Sequence, residues 1–480
     1  MTAPILWQAA DAISATNGQG ETSWQATGVS IDSRTVQPGD LFVAIQGPNF
    51  DGHRFVADAL ARGAVAAMVS ELPASLTSEA PLLLVDDTLK GLEALGRAAR
   101  ARSAAKIVAV TGSVGKTGTK EALSLALGRG APTHASIGNL NNHWGAPLSL
   151  ARMPVEAAYG VFELGMNHGG EIAPLSRMVR PHVVIITNVE PVHLEFFSSL
   201  SQIADAKAEI FEGLEADGVA ILNWDNAHFD YLEAAASSAG VGRVISFGTH
   251  EGADARLIGL AQHPDCNCIS ADIDGQAVTY KVGALGRHWA INSLAVLAAV
   301  RALGADIGLA ALAMAEVTAP KGRGARHRIE LTDGSLLIID ESYNASPVAM
   351  RAAIETLGAV APLSNISPGR RIAVLGDMLE MGAAAPELHT DLAPILRAAG
   401  IDQVWACGPL MAQLFEALPI HMRGGYETTS AALLGKVTAM VRPGDTVLVK
   451  GSLGLDMAPI VQALRDLGPA HDDTNLAVRG

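Results

Sequence analysis

Short apolar runs separated by turn residues organise the front of the chain. Residues 41–45, 64–69 and 82–85 form such runs, and Pro38-Gly39-Asp40 and Pro48-Asn49 punctuate them. Runs of this length between breakers predict strands, so the front reads as a small α/β unit. A polar, helix-like stretch follows at 97–105. From about residue 104 to 318, strand and helix signals alternate. Strands are predicted at 107–111, 159–164, 183–187 and 219–223, and helices at 120–127 and 289–303. This rhythm predicts a mostly parallel sheet covered by helices. The breaker cluster Pro320-Lys321-Gly322-Arg323-Gly324 predicts a hinge. Strand signals then resume at 336–340, 372–376, 404–407 and 446–450, with a helix at 430–441. The polar tail from Pro469 to Gly480 predicts loose chain. The expected fold class is α/β, in three domains at 1–103, 104–319 and 320–480.

Composition narrows the picture. A chain of 480 residues exceeds one hydrophobic core, and 49% apolar content suffices for several. The net charge of −15 argues against nucleic acid and anionic membrane surfaces as partners. Three cysteines, Cys266, Cys268 and Cys407, imply a reducing compartment without a disulfide framework. Cys266-x-Cys268 has neither zinc-site spacing nor a partner cluster. Residues 1–11 lack a basic region followed by an apolar core, and no apolar run reaches the ~18 residues of a spanning helix. A cytoplasmic protein without membrane insertion is expected.

The first chemical signal is Val108-Ala109-Val110-Thr111-Gly112-Ser113-Val114-Gly115-Lys116-Thr117, between a predicted strand and a predicted helix. Backbone N–H groups and the helix dipole attract phosphate there, Lys116 adds a point charge, and Thr117 suits Mg²⁺. Val110 stands where G-x-x-x-x-G-K-[ST] has its first glycine. An ordinary strand-to-helix turn with an exposed lysine is the alternative. In open parallel sheets, ligands bind beyond the carboxyl ends of the strands. The next two predicted strands run into Glu163 and, through Thr187-Asn188-Val189-Glu190-Pro191-Val192, into His193. A carboxylate and an imidazole beside phosphates suit Mg²⁺ or Mn²⁺. Singly, each also reads as a solvated carboxylate or a loop histidine. Lys207 falls on the apolar helical stripe of Ile203, Ile210, Phe211 and Leu214. A lysine there must snorkel, lose its proton or be modified, for instance by CO₂ to an anionic carbamate.

Assembled, these residues resemble the Mur ligases, ATP-dependent amide-forming enzymes of peptidoglycan synthesis, over nearly the whole chain. Thr111 to Thr117 resembles the family's T-G-x-x-G-K-T loop. Asp32-Ser33-Arg34 and Pro38 to Ala44 are similar to its UDP-binding front domain. Gly138-Asn139-Leu140-Asn141-Asn142, Glu163-Leu164-Gly165-Met166-Asn167-His168, Asp340-Glu341-Ser342-Tyr343-Asn344-Ala345-Ser346-Pro347 and Arg371 to Gly382 resemble the branch that adds a dipeptide. The third-domain D-N-P-R stretch of the sibling that adds a third amino acid is missing. After Val449-Lys450-Gly451-Ser452 the chain has Leu453-Gly454-Leu455-Asp456, where the family often carries an arginine.

The resemblance implies a UDP-binding front domain, a central P-loop ATPase-like domain and a C-terminal Rossmann-like domain. It implies ATP and Mg²⁺ or Mn²⁺ as cofactors, and UDP-N-acetylmuramoyl-tripeptide and D-alanyl-D-alanine as substrates of a monomer. Catalytic roles fall on Lys116, Glu163, His193 and Lys207, the last carbamylated, and metal ligation on Thr117, Glu163, His193 and Lys207. ATP would meet Gly112, Ser113, Val114, Gly115, Lys116, Thr117, Asn292, Arg323, Asp340 and Asn344. Ser33, Arg34, Asn139, Asn141 and Asn142 would meet substrate. A sibling ligase, a folylpolyglutamate-type synthetase and a nucleotide-dependent switch are the rival readings.

Overall fold

The computed structural model describes residues 4–47, 50–74, 76–77, 79–192, 194–263, 265–360, 369–468 and 470–472. The front sheet contains Gln19–Gly20, Gly28–Ser30, Asp40–Val43, Ala66–Val69 and Leu82–Leu84. The last four run parallel, and Gln19–Gly20 pairs antiparallel at the edge. Helix Thr88–Arg102 begins where the Asp87 carboxylate accepts the Leu89 and Lys90 N–H groups. It is longer than the stretch predicted at 97–105, because Leu92, Leu95 and Ala99 give it an apolar face. That face joins Leu148 and Ala151, from helix Gly145–Ala151, in the front core. Trp7 Nε1 donates to the Ala151 carbonyl at 2.8 Å, and Arg152 Nε to the Val29 carbonyl at 2.6 Å. The front unit thus completes its core with residues from beyond position 103.

The central sheet has nine strands. They are β1 (Lys106–Thr111), β2 (Thr133–Ala135), β3 (Tyr159–Glu163), β4 (Val183–Ile186), β5 (Val219–Asn223), β6 (Arg243–Gly248), β7 (Ala255–Gln262), β8 (Asn267–Ile273) and β9 (Gln276–Val282). Their order is β9-β8-β7-β6-β5-β4-β1-β3-β2. The run from β7 to β2 is parallel; β8 and β9 extend it antiparallel. Both faces are covered. Val108 and Val110 of β1 join one core with Leu123 and Val296, and Ile107 and Ala109 join the other with Phe162 and Ile203. The covering helices include α1 (Lys116–Gly128), α2 (Leu200–Ala208) and α3 (Arg287–Ala302). α2 tightens into a 3₁₀ turn at Glu209–Gly213, so the stripe predicted from 200 to 214 spans two helix types. The third strand of the site's trio is adjacent to the first: β1 lies between β3 and β4, with Glu163 opposite Val110 and Ile186 opposite Thr111.

The third sheet contains β10 (Ala325–Leu331), β11 (Gly334–Glu341), β12 (Arg371–Gly376), β13 (Gln403–Cys407), β14 (Arg423–Glu427), β15 (Thr446–Lys450) and β16 (Ala470–Asp472). The order is β14-β13-β12-β15-β11-β10-β16, parallel from β14 to β11. β10 and β16 add antiparallel pairs. The tail expected to be loose therefore supplies a short edge strand at Ala470–Asp472; the rest of it lies outside the described residues. Away from the hinge, the second and third units also meet where Glu195 N–H donates to the Glu380 carbonyl at 3.1 Å. Among the described residues, no helix is long and apolar enough to cross a membrane.

Candidate active site

β1 ends in the glycine-bearing loop, and α1 begins at Lys116 with its N-terminus against that loop. Gly112 has φ +142°, and a Cβ there would collide with the Thr187 hydroxyl. Gly115 has φ +86°, and its Cβ would come within 2.6 Å of Asn292 Nδ2 on α3. Only glycine allows both close approaches. The loop following β4 stitches this turn in place. Val114 N–H donates to Asn188 Oδ1 at 3.0 Å, and the Thr187 hydroxyl donates to the Val114 carbonyl at 2.6 Å. Ser113 Oγ donates to the Glu190 carbonyl at 3.0 Å and accepts the Glu190 N–H at 2.9 Å. Asn188 and Thr187 are supports that motif spacing alone did not single out. Lys116 Nζ folds back on the Gly112 and Ser113 carbonyls at 2.7 and 3.2 Å. Thr117, in the first turn of α1, is buried.

Glu163 ends β3 with 1% exposure. Its N–H donates to Ser136 Oγ at 3.1 Å, and its Oε1 accepts the Asn141 amide at 2.7 Å. Its Oε2 is buried with no hydrogen-bond partner. A bare buried carboxylate oxygen is costly unless a cation completes it. That orphaned atom, within electrostatic reach of Lys116, fits a divalent ion. Among the described residues no three His, Cys, Asp or Glu side chains converge on one point. An ion here would take its remaining oxygens from phosphates and water, as Mg²⁺ commonly does. His193 lies outside the described residues.

Lys207 sits in the last turn of α2 with 2% exposure, so it does not snorkel to water. Burial drives its pKa well below the ordinary amine value, and the charge of Lys116 lowers it further. Burial also lowers Lys116; Glu163 pulls the other way, and Arg323 adds a further lowering. Lys116 is thus coupled electrostatically to Lys207, Arg323 and the Glu163 carboxylate. A bound polyanion would offset the positive charge of Lys116 and Arg323.

Arg323 lies at the predicted hinge, with its guanidinium 4.0 Å from the Tyr343 ring centre. Asp340 holds the 322–324 turn. Its Oδ2 accepts the Gly322 N–H at 3.1 Å, its Oδ1 accepts the Ser342 N–H and hydroxyl at 3.1 and 2.6 Å, and its carbonyl accepts the Gly324 N–H at 2.8 Å. The carboxylate, expected to meet the nucleotide, is 2% exposed and accepts these donors of its own neighbourhood. Asn344 is exposed; its Oδ1 accepts the Ala345 N–H at 2.9 Å, and its carbonyl accepts Lys450 Nζ at 2.9 Å. Lys450, buried at the end of β15, also bonds Glu341 at 3.1 Å. Sequence reasoning noted Lys450 without a role.

The residues expected to meet substrate differ in their surroundings. Arg34 is exposed and forked onto Asp32, which its guanidinium holds below the usual carboxylate range; Ser33 beside it is buried. Asn139 is exposed. Asn142 Oδ1 accepts the Trp144 and Gly145 N–H groups at 3.1 and 3.0 Å, capping the next helix. Asn141 is turned to Glu163 and joins the charged centre.

Family models match three stretches in the same order. Residues 25–102 match the Mur ligase family catalytic domain, 110–300 the Mur ligase middle domain, and 327–453 the Mur ligase glutamate ligase domain. The UDP-N-acetylmuramoyl-tripeptide–D-alanyl-D-alanine ligase of Rickettsia prowazekii is 34% identical, covering 90% of this chain and 94% of the relative. The chain belongs to the Mur ligase family. Among solved structures, MurF from Acinetobacter baumannii superposes on this Mur ligase with a TM-score of 0.81 at 31% identity, covering 96% and 99% of the two chains. MurF from Thermotoga maritima, solved with ADP, gives 0.74 at 27% identity over 92% and 97%. The family models fall on the front, central and third units of this Mur ligase.

Proposed function

We infer that this Mur ligase joins D-alanyl-D-alanine to UDP-N-acetylmuramoyl-tripeptide at the expense of ATP, in peptidoglycan precursor synthesis. The observation that carries the reading is the match, over 94% of its length, to a relative named for this reaction. The cation cluster agrees with the chemistry. The peptide's terminal carboxylate oxygen attacks the γ-phosphorus, the bond to the β-phosphate oxygen breaks, and ADP leaves. The amine of D-alanyl-D-alanine, as the free base, attacks the resulting acyl phosphate. A tetrahedral intermediate collapses to the amide and inorganic phosphate.

The central difficulty is that two anions must approach. Lys116 and the loop N–H groups at the start of α1 draw in the β- and γ-phosphates, and Arg323 adds charge from the hinge. Mg²⁺ or Mn²⁺ held by Thr117 and Glu163, with a second ion at His193 and modified Lys207, would neutralise phosphate charge and orient the acyl phosphate. Lys207 suits modification because burial favours its neutral amine. That nitrogen adds to CO₂, a proton leaves to solvent, and a carbamate anion replaces a cation beside Lys116. Asn292, packed on Gly115, and Asn344 would meet the nucleotide, Ser33, Arg34, Asn139 and Asn142 the UDP-linked substrate. Closure about the 320–324 hinge would exclude the water that destroys an acyl phosphate. The protein would act as a cytoplasmic monomer, where ATP and the UDP-linked substrate occur together.

A drop-out assay tests this reading. ADP release should require both UDP-N-acetylmuramoyl-tripeptide and D-alanyl-D-alanine. Release with neither would indicate a switch, and indifference to the dipeptide would indicate a sibling ligase.

A further inference from the structure

Lys120 lies one helical turn beyond Lys116 on α1, so the two lysines leave the helix from the same side. Lys120 is 0% exposed. Its Nζ donates to the Ser136 carbonyl at 2.7 Å, the Gly138 carbonyl at 3.1 Å and Glu121 Oε1 at 2.6 Å. All three ammonium donors are thereby used. A buried ammonium costs several kcal/mol in desolvation even when well partnered, and an apolar residue would fill an interior helix position without that cost. What distinguishes lysine here is what it grips.

It grips the segment that touches Glu163 at both ends. Ser136 Oγ accepts the Glu163 N–H at 3.1 Å, and Asn141 Nδ2 donates to Glu163 Oε1 at 2.7 Å. Gly165 N–H returns to the Asn141 carbonyl at 2.9 Å. Between these ends the chain has no regular secondary structure; Ile137 is 64% exposed, and Leu140 is partly buried against the front core. The two carbonyls bound by Lys120 are its anchor to α1.

We propose that Lys120 is a positioning residue for Glu163: by fixing the segment from Ser136 to Asn141, it commits Oε1 to the Asn141 amide and leaves Oε2 bare. This rests on the reading that Glu163 holds a divalent ion. One helix thus serves the site twice, with Lys116 at the phosphate loop and Lys120 orienting the carboxylate opposite.

The test is Mn²⁺ binding to the full-length ADP complex, followed by electron paramagnetic resonance, with ADP affinity measured separately without metal. Lys120→Met should weaken Mn²⁺ about tenfold, the scale of losing an outer-shell partner, and leave metal-free ADP affinity unchanged. Should Lys120→Met fail to fold, Lys120→Gln, which keeps a donor for one carbonyl, decides the matter in a cycle with Asn141→Ala. If Lys120 acts through Asn141, the second substitution adds little to the first; additive losses overturn the proposal. Glu163→Gln separates the two levels of inference. Normal Mn²⁺ binding in Glu163→Gln removes the reading of Glu163 itself. Lost binding there, with wild-type binding in the Lys120 variants, removes the role of Lys120 alone.

Discussion

The positive charge of Lys116 lowers the proton affinity of Lys207, on top of the larger effect of burial. Burial and Lys116 both favour the neutral, nucleophilic form of this amine. Lys207→Ala should lose most ligase activity, and short carboxylic acids added to the buffer should restore part of it by supplying the missing anion. Unchanged turnover in the variant would end the carbamate role.

The same lysine leaves a mark on stability. Its pKa when folded lies below the ordinary 10.5 of the unfolded chain. Between the two values the unfolded chain binds the proton and the folded chain does not, so stability rises with pH across that window and falls as pH drops toward the folded value. In CO₂-free buffer, urea unfolding of Lys207→Met should show a shallower rise from neutral pH toward pH 10 than the wild type. An identical slope in both proteins would contradict the buried, unmodified amine.

Glu163→Ala removes the carboxylate and its bare oxygen. Ligation should fall by roughly a hundredfold or more, the scale of losing a group that stabilises transition-state charge. The circular dichroism spectrum should be unchanged. Near-normal turnover at ordinary Mg²⁺ would take Glu163 out of the site.

Asp340→Ala would strip the hinge of the acceptor for Gly322 and Ser342. Leaving such buried donors unpaired costs about 1–3 kcal/mol, which thermal unfolding would register. Because Arg323 rides on this hinge, kcat should fall more than the apparent affinity for ATP. A variant with lowered Tm but full kcat would mean that the hinge geometry does not govern Arg323.

Gly115→Ala would force a left-handed φ on a residue with a Cβ and press it against Asn292. The strain is on the order of 1–3 kcal/mol, and it should appear as weaker nucleotide binding in calorimetry. Wild-type affinity would show that the loop relaxes freely.

Much of this was legible in sequence because parallel strands buried on both faces read as apolar runs. β1, β3, β4, β5 and β15 lie within a residue of their predicted limits. The antiparallel arm of β8 and β9 escaped, since its mixed burial breaks the run that marks a buried strand. The helix Thr88–Arg102 was seen only in part, as Gly91 and Gly96 interrupt its pattern. Phosphate-loop spacing located Lys116 and Thr117, and the apolar stripe singled out Lys207. Lys120 was missed because its partners are backbone carbonyls from Ser136 and Gly138, contacts that carry no side-chain signature. The contact of Asp340 with Gly322 was hidden for the same reason: Gly322 offers it only an N–H.

The most direct test of phosphoryl transfer to a carboxylic acid is the fate of that acid's oxygen. UDP-N-acetylmuramoyl-tripeptide carrying ¹⁸O in its terminal carboxylate should, with ATP and D-alanyl-D-alanine, yield one ¹⁸O in each inorganic phosphate released. Phosphate free of the label, with amide product formed, would contradict the acyl phosphate and the role assigned to the cluster around Lys116.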